Sequence, residues 1–202
     1  MEYDETLKYV EKNLYWLNVN ARHAIELQET FSFPANDEGL RESIKNTNKV
    51  RCYKVCLEAI YFEYVMTIMR MYDSYQRDVM CFQGLFRGLS EEFIKEYELK
   101  TNKSIKAAIS SVFDNYQKLN GSHLVSGLRK VRHKLYAHTA SDFNRNQFGK
   151  YGDAEKLLSK SLKLLNSINL AIWSREEPFE KLPKYWTKYS QEFWQNIIKT
   201  NN

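Results

Sequence analysis

Glycine and proline are scarce in this sequence, and that scarcity restricts the fold more than any other feature. The 202 residues include 7 glycines and 3 prolines. An all-β sandwich needs a turn about every 8–12 residues, and those turns draw on glycine and proline. An α/β nucleotide-binding fold needs glycine-rich turns after its strands. The sequence therefore favours an all-α fold, an antiparallel helical bundle joined by short loops.

Apolar residues recur at spacings of three and four along most of the chain, which is the pattern of amphipathic helices. The predicted helices cover 4–31, 47–75, 90–119 with a break near 101–102, 123–137, 153–172 and 185–198. A short helical turn is expected within 78–89. We expect a helical bundle over residues 1–177, with an amphipathic C-terminal helix within 178–202 packed on the same domain.

Local signals predict where some helices begin and end. Pro34 is expected to follow the end of the first helix, since proline lacks a backbone donor. Gly121 is expected to adopt the left-handed conformation that closes a helix, and Ser122 to cap the next one. Ser90 is a similar N-cap candidate.

The cysteines and the apolar stretches indicate a cytoplasmic protein with no membrane association. Cys52 and Cys56 share a helix face at metal-ligand spacing, but no Cys–His pair completes a zinc set, so we interpret them as small core residues. Three unpaired cysteines suit a reducing compartment. The most apolar stretch, 59–72, contains charges and is too short to span a bilayer.

Positive charge is concentrated in one segment, although the net charge is only +5. Residues 115–141 contain no acid. The basic residues of this stretch are Lys118, Arg129, Lys130, Arg132 and Lys134. A solvated helix face normally mixes signs, so this bias suggests an anion site. Charge alone is equally compatible with an ordinary basic surface helix, which is the alternative.

Helical geometry places two residues of this segment beside the buried face. Successive residues turn by about 100°. With Leu135 at the centre of the core stripe, Arg132 and His138 fall about 60° to either side. His133 falls nearly opposite the stripe. Arg132 and His138 are therefore expected in a crevice or at an interface, where charge is less screened.

The segment from Arg132 to His138 resembles the R-x(4–6)-H signature of the HEPN superfamily, with His133 at its usual polar position. The spacing of Lys134 and Ala137 within it is similar to the AbiU2-like branch. Arg70 and Asp73, three residues apart, resemble that branch's Arg-Leu-x-Asp segment. The tyrosine that several HEPN toxins carry two positions after the histidine is absent here.

The resemblance implies a metal-independent RNA endonuclease without cofactors that leaves 2′,3′-cyclic phosphate and 5′-hydroxyl ends. It implies Arg132, His138 and His133 as catalytic residues. Arg132 would hold the phosphate and His138 would move a proton. The residues interpreted as RNA-binding or supporting are Arg129, Lys134, Tyr136, Arg70 and Asp73. For Arg70 and Asp73 we favour a local ion pair that orients the motif helix over a direct part in catalysis, which is the alternative.

The resemblance also implies a homodimer with two motifs at the dimer seam, and a toxin or antiphage defence role with an antitoxin or defence-system partner. Two alternatives stay open. One is a catalytically inactive HEPN-like module that binds nucleic acid or dimerises. The other is a helical scaffold that carries the motif by chance.

Overall fold

The computed structural model describes residues 2–45, 47–76, 79–137 and 151–199, with the side chains at 134–137, 151 and 198–199 left undescribed. No strand occurs in these residues, so the all-α prediction is confirmed. The helices are α1 Tyr3–Asn36, α2 Glu38–Lys45, α3 Lys49–Met71, α4 Phe82–Gly88, α5 Glu91–Thr101, α6 Lys106–Asn120, α7 His123–Ala137, α8 Tyr151–Trp173 and α9 Leu182–Lys199. A 3₁₀ turn, Phe179–Lys181, precedes α9.

The chain divides into two compact units. The first comprises Met1–Ala21 and Thr67–Glu177, and the second comprises Arg22–Met66 and Pro178–Asn202. The predicted C-terminal helix, α9, therefore falls in the second unit. The single domain expected over 1–177, with 178–202 packed on it, stays a prediction.

In the first unit, α8 is the central helix. It packs against α6 and α7. Asn18 of α1 and Asn169 of α8 are buried and exchange two amide hydrogen bonds of 2.9 Å. Each buried amide thereby finds a donor and an acceptor, which removes most of the cost of burying it.

In the second unit, α1 continues through Pro34, so the prediction that proline ends this helix is wrong. Because Pro34 has no N–H, the carbonyl of Thr30 loses its helical donor. The indole Nε1–H of Trp194 donates to that carbonyl at 2.9 Å, and the Ser190 hydroxyl donates at 3.4 Å. The Tyr53 hydroxyl donates to the carbonyl of Pro34 itself. Side chains of α9 thus replace the donor that the proline removes, and a side chain of α3 satisfies the carbonyl of the proline.

The interpretation of Cys52 and Cys56 as core residues at the start of α3 is wrong. Cys52, Cys56, Val55 and Ala59 are exposed. The residues that turn inward form a second stripe of the same period, which is half-buried to buried: Val50, Tyr53, Leu57, Ile60, Tyr61 and Tyr64. Burial free energy increases with apolar area, so the stripe with the larger aromatic side chains is the one that packs.

The predicted helix ends are partly confirmed. The Ser90 hydroxyl accepts from the backbone N–H of Phe93 at 3.3 Å and caps α5. The break near 101–102 is present, with Asn102 in the left-handed conformation. Gly121 is right-handed, with φ −81°, so its expected left-handed conformation is wrong. Its N–H instead donates to the carbonyl of Gln117, which closes α6 within right-handed geometry.

Candidate functional site

The site begins where α3 ends. Residues 64–69, 71 and 72 are buried, so the last turns of α3 pass through the core of the chain. The Tyr72 hydroxyl is hydrogen-bonded to Ser161 Oγ of α8 at 2.7 Å, and burial raises the pKa of Tyr72. Asp73 follows directly. The hydrogen bond of Tyr72 therefore fixes the chain one residue before the carboxylate of Asp73.

Two arginines of α7 reach this point from the other side. Arg129 and Arg132 lie three residues apart, so they project from the same face of the helix. Arg132 Nη1 donates to Asp73 Oδ1. Arg129 Nη2 donates to the backbone carbonyl of Tyr72 at 3.0 Å and to Asn120 Oδ1 at 2.9 Å. The end of α3, the end of α6 and the middle of α7 are joined by these bonds.

The charged side chains of this junction sum to a net positive charge. Two guanidinium groups lie at the carbonyl end of α3, where the helix dipole is negative and stabilises cations. Asp73 balances the charge of Arg132, whereas the acceptors of Arg129 are neutral. Among the residues that the structure describes, these three side chains therefore sum to one positive charge. The side chains of Arg132 and Asp73 are 20% and 28% exposed, so they remain accessible while screening is reduced.

Aromatic rings lie beneath the junction. Tyr72 stacks on Tyr116 with ring centroids 6.3 Å apart, and Phe82 contacts both rings. Burial raises the pKa of Tyr116 to about 12, with Arg129 acting in the opposite direction. Burial also raises the pKa of the Cys81 thiol, which caps α4. These groups stay protonated near neutral pH and form a rigid, uncharged floor.

The structure brings Arg132, Asp73 and Arg129 together and separates them from His133. His133 is exposed on α7 and does not share their contacts. Arg70 is exposed in the last turn of α3, and Asp73 makes an ion pair with Arg132 of α7. The expected pair between Arg70 and Asp73 stays a prediction.

Three predicted site residues cannot be placed in this geometry. Lys134 and Tyr136 belong to the last turn of α7, with side chains outside the described set, and His138 lies outside the described residues. The sequence reasoning missed Asn120 and the carbonyl of Tyr72 as partners of Arg129. Helical periodicity carries no signal for either, because both lie on other elements.

None of the described helices is long and apolar enough to cross a membrane. In the described part of the chain, no three His, Cys, Asp or Glu residues are grouped so that they would hold a metal ion.

Comparison with known families gives a match over most of the chain. The family model described as AbiU2, within the HEPN group, matches residues 2–192, which is nearly the whole chain. No curated protein and no solved structure matches the chain.

Proposed function

The chain belongs to the AbiU2 family of HEPN proteins, and on this premise we propose that it is a metal-independent RNA endonuclease. The observation that carries the proposal is the position of Arg132. This arginine lies in the HEPN-like motif, is partly exposed, and is oriented by Asp73 at the end of another helix. A guanidinium held in one orientation is suited to bidentate contact with a phosphate.

The proposed reaction needs no group beyond the RNA and the protein. The ribose 2′-hydroxyl attacks the adjacent phosphorus, the bond to the 5′ oxygen breaks, and a 2′,3′-cyclic phosphate and a 5′-hydroxyl result. Arg132 stabilises the charge that grows on the phosphoryl oxygens. His138 transfers the proton lost by the 2′-hydroxyl or gained by the 5′ oxygen, a role that suits an imidazole near neutral pH.

A lysine row on α8 supports binding to a polyanion. Lys156, Lys160 and Lys163 are exposed, and their spacing places them on one face of the helix. Residues 156–175 contain no acid. Neighbouring like charges at these spacings destabilise a helix by about 0.2–0.5 kcal/mol per pair. Contact with a chain of phosphates offsets that repulsion.

The proposal extends to assembly and biology. We infer a homodimer in which two motifs supply acid and base together, as the AbiU2-like resemblance implies. We also infer a cytoplasmic toxin or antiphage effector, controlled by an antitoxin or defence-system partner. These statements rest on the family alone.

The test is cleavage of a labelled single-stranded RNA in EDTA. We expect Arg132→Ala and His138→Ala each to reduce cleavage by at least about 100-fold, the scale for losing a charge-stabilising or proton-transferring group. Lys130→Ala is the matched control, since Lys130 is an exposed cation between Arg129 and Arg132 on the same helix. Full cleavage by either site variant, with circular dichroism showing a normal fold, would contradict the proposal.

The Arg132–Asp73 pair also favours a second candidate, a module that binds nucleic acid without cutting it. Asp73 neutralises the positive charge of Arg132, and a phosphate in the proposed reaction needs that charge. In that case the wild-type protein binds RNA with an affinity that falls steeply with salt, and shows no cleavage. Replacing the three α8 lysines with glutamine is then expected to lower the salt slope by about 2, since each phosphate contact on a single strand contributes about 0.7.

A further inference from the structure

Tyr75 lies two residues after Asp73 and is fixed against α4. Its backbone N–H donates to Gln83 Oε1 at 2.7 Å. Its ring lies against Gly84, where a Cβ would be 3.4 Å from Tyr75 Cδ2. Two residues of chain span at most about 7 Å. An aromatic side chain is therefore held close to the carboxylate that pairs with Arg132.

The guanidinium of Arg87 lies over this ring. Its Cζ is 4.5 Å from the centroid of the Tyr75 ring, within the range of about 6 Å for a cation–π contact. Gln83 and Arg87 are four residues apart, so one face of α4 contacts both the backbone and the ring of Tyr75. Tyr75 is half-buried and Arg87 is exposed, so the pair is accessible from solvent.

The charge of Arg87 is available to a ligand. Two other cations in the described part of the chain also lie over aromatic rings, but each has a carboxylate partner. Lys100 pairs with Glu96 at 2.9 Å, and Arg175 pairs with Glu177 at 3.9 Å. None of the described carboxylates lies within ion-pair distance of Arg87.

We propose that the Tyr75–Arg87 pair stacks a base of unpaired RNA beside the phosphate at Arg132, so that single-stranded RNA is the substrate class. This inference rests on the proposed function. Unpaired bases stack on aromatic rings and on guanidinium planes, whereas the bases of a duplex are already stacked on their neighbours. The position of Tyr75, two residues after Asp73, places the stacked base next to the phosphate.

The chemistry of the pair also predicts how selective it is. The guanidinium plane of Arg87 is flat and cationic, and it attracts the π-face of a base. Every base has such a face, so stacking tolerates any sequence. The N–H groups at the edge of the same guanidinium can contact a phosphate of the bound strand. We therefore expect selection for unpaired RNA with little preference among the four bases.

The experiment is a double-mutant cycle between the protein and the RNA. Anisotropy measures binding of the His138→Ala protein, which leaves the RNA intact, to a single-stranded RNA and to copies with an abasic nucleotide at each position in turn. We expect one abasic position to weaken binding by about 5- to 100-fold, the scale of losing one stacked base. With Tyr75→Leu added, the same abasic position should change binding by less than about twofold.

Conservative variants and a matched control separate stacking from charge and from folding. Tyr75→Phe keeps the ring and should show the full abasic effect. Arg87→Lys keeps the charge without the planar face and should show a smaller one. Arg175→Gln is the control, because Arg175 lies 5.3 Å from the centroid of the Trp173 ring but has Glu177 as its partner. We expect it to leave the abasic effect unchanged.

The outcome that overturns the inference is an equal loss of affinity for intact and abasic RNA in Tyr75→Leu, since the pair would then only hold residues 73–75 against α4. Duplex RNA bound as tightly as the unpaired strand overturns it too. Cleavage in EDTA without an abasic effect refutes this inference alone. An abasic effect without cleavage supports it and contradicts the ribonuclease proposal, and a wild type that neither binds nor cleaves RNA refutes both.

Discussion

Replacing Asp73 with asparagine separates the two roles that its ion pair allows. The change removes the negative charge and keeps an oxygen that accepts a hydrogen bond from Arg132. The two side chains are about one quarter exposed. Exposed ion pairs contribute about 0.2–1 kcal/mol and breaking buried ones costs about 3–5 kcal/mol. Given the remaining exposure and the retained oxygen, we expect a free energy of unfolding lower by about 1 kcal/mol.

The effect on RNA divides into affinity and turnover. Loss of one negative charge beside Arg132 is expected to tighten RNA binding two- to fivefold, about 0.5–1 kcal/mol at the partial screening of this depth. If Asp73 orients Arg132 for catalysis, kcat falls by about 10- to 100-fold at the same time, because a misdirected guanidinium no longer meets the transition state. If the chain only binds RNA, the Asp73→Asn variant binds RNA more tightly than the wild type, and neither protein cleaves it.

Fluorescence anisotropy with a labelled RNA measures affinity, and single-turnover cleavage of the same RNA measures the chemical step. Asp114→Asn is the control, since Asp114 is an exposed carboxylate on α6 and its loss changes net charge equally. A variant of Asp73 with wild-type stability, affinity and turnover would refute the assignment of any function to this pair.

Three further predictions concern the fold. Trp194→Phe is expected to lower the free energy of unfolding by about 1–3 kcal/mol, since it removes a donor from the half-buried carbonyl of Thr30 that Pro34 leaves open. The loss should be about 1 kcal/mol smaller in a Pro34→Ala background, where the helix restores its own donor. Urea unfolding of all four proteins measures the double-mutant cycle, and additive losses would disprove the coupling. Gly88→Ala places a Cβ 2.8 Å from a valine methyl of α1 and should destabilise the protein by about 1–3 kcal/mol, whereas Gly127→Ala, with open space around it on α7, should stabilise it by about 0.5–1 kcal/mol in thermal melts. Burial raises the pKa of Tyr116 from 10.0 to about 12, so its contribution to the free energy of unfolding is intact below pH 10 and is lost as the pH rises from 10 to 12. Over that range the free energy of unfolding of Tyr116→Phe should fall by about 2 kcal/mol less than that of the wild type. An equal fall in both proteins would contradict the assignment.

Much of α7 could be predicted from the sequence, because its signals are local. Its observed bounds, His123–Ala137, coincide with the predicted ones. The position of Arg132 beside the buried face follows from helical period alone and agrees with its 20% exposure. Helical period does not predict which residue pairs with Arg132. Asp73 lies 59 residues away, and the pairing depends on where the end of α3 meets α7.

Two of the wrong predictions, those for Pro34 and for the start of α3, share a physical cause: a distant contact overrides a local rule. Proline ends a helix when its missing donor leaves a carbonyl unsatisfied, but Trp194, 164 residues from Thr30, supplies the donor and α1 continues. In α3 two apolar stripes have the same period, and Cys52 and Val55 belong to the one that stays exposed. Neither outcome is encoded within one turn of the residues concerned.

Arg129 shows how the same limit applies to the site. Its charge and position suggest a phosphate ligand, yet its guanidinium is bonded to the carbonyl of Tyr72 and the amide of Asn120. No glycine or proline terminates α3 at this point, so capture of the Tyr72 carbonyl helps to define where the helix ends and where Asp73 emerges. We therefore propose Arg129 as a positioning residue for the Arg132–Asp73 pair. A lysine at this position would keep the charge and lose the planar fork of donors, so charge alone would not maintain the site.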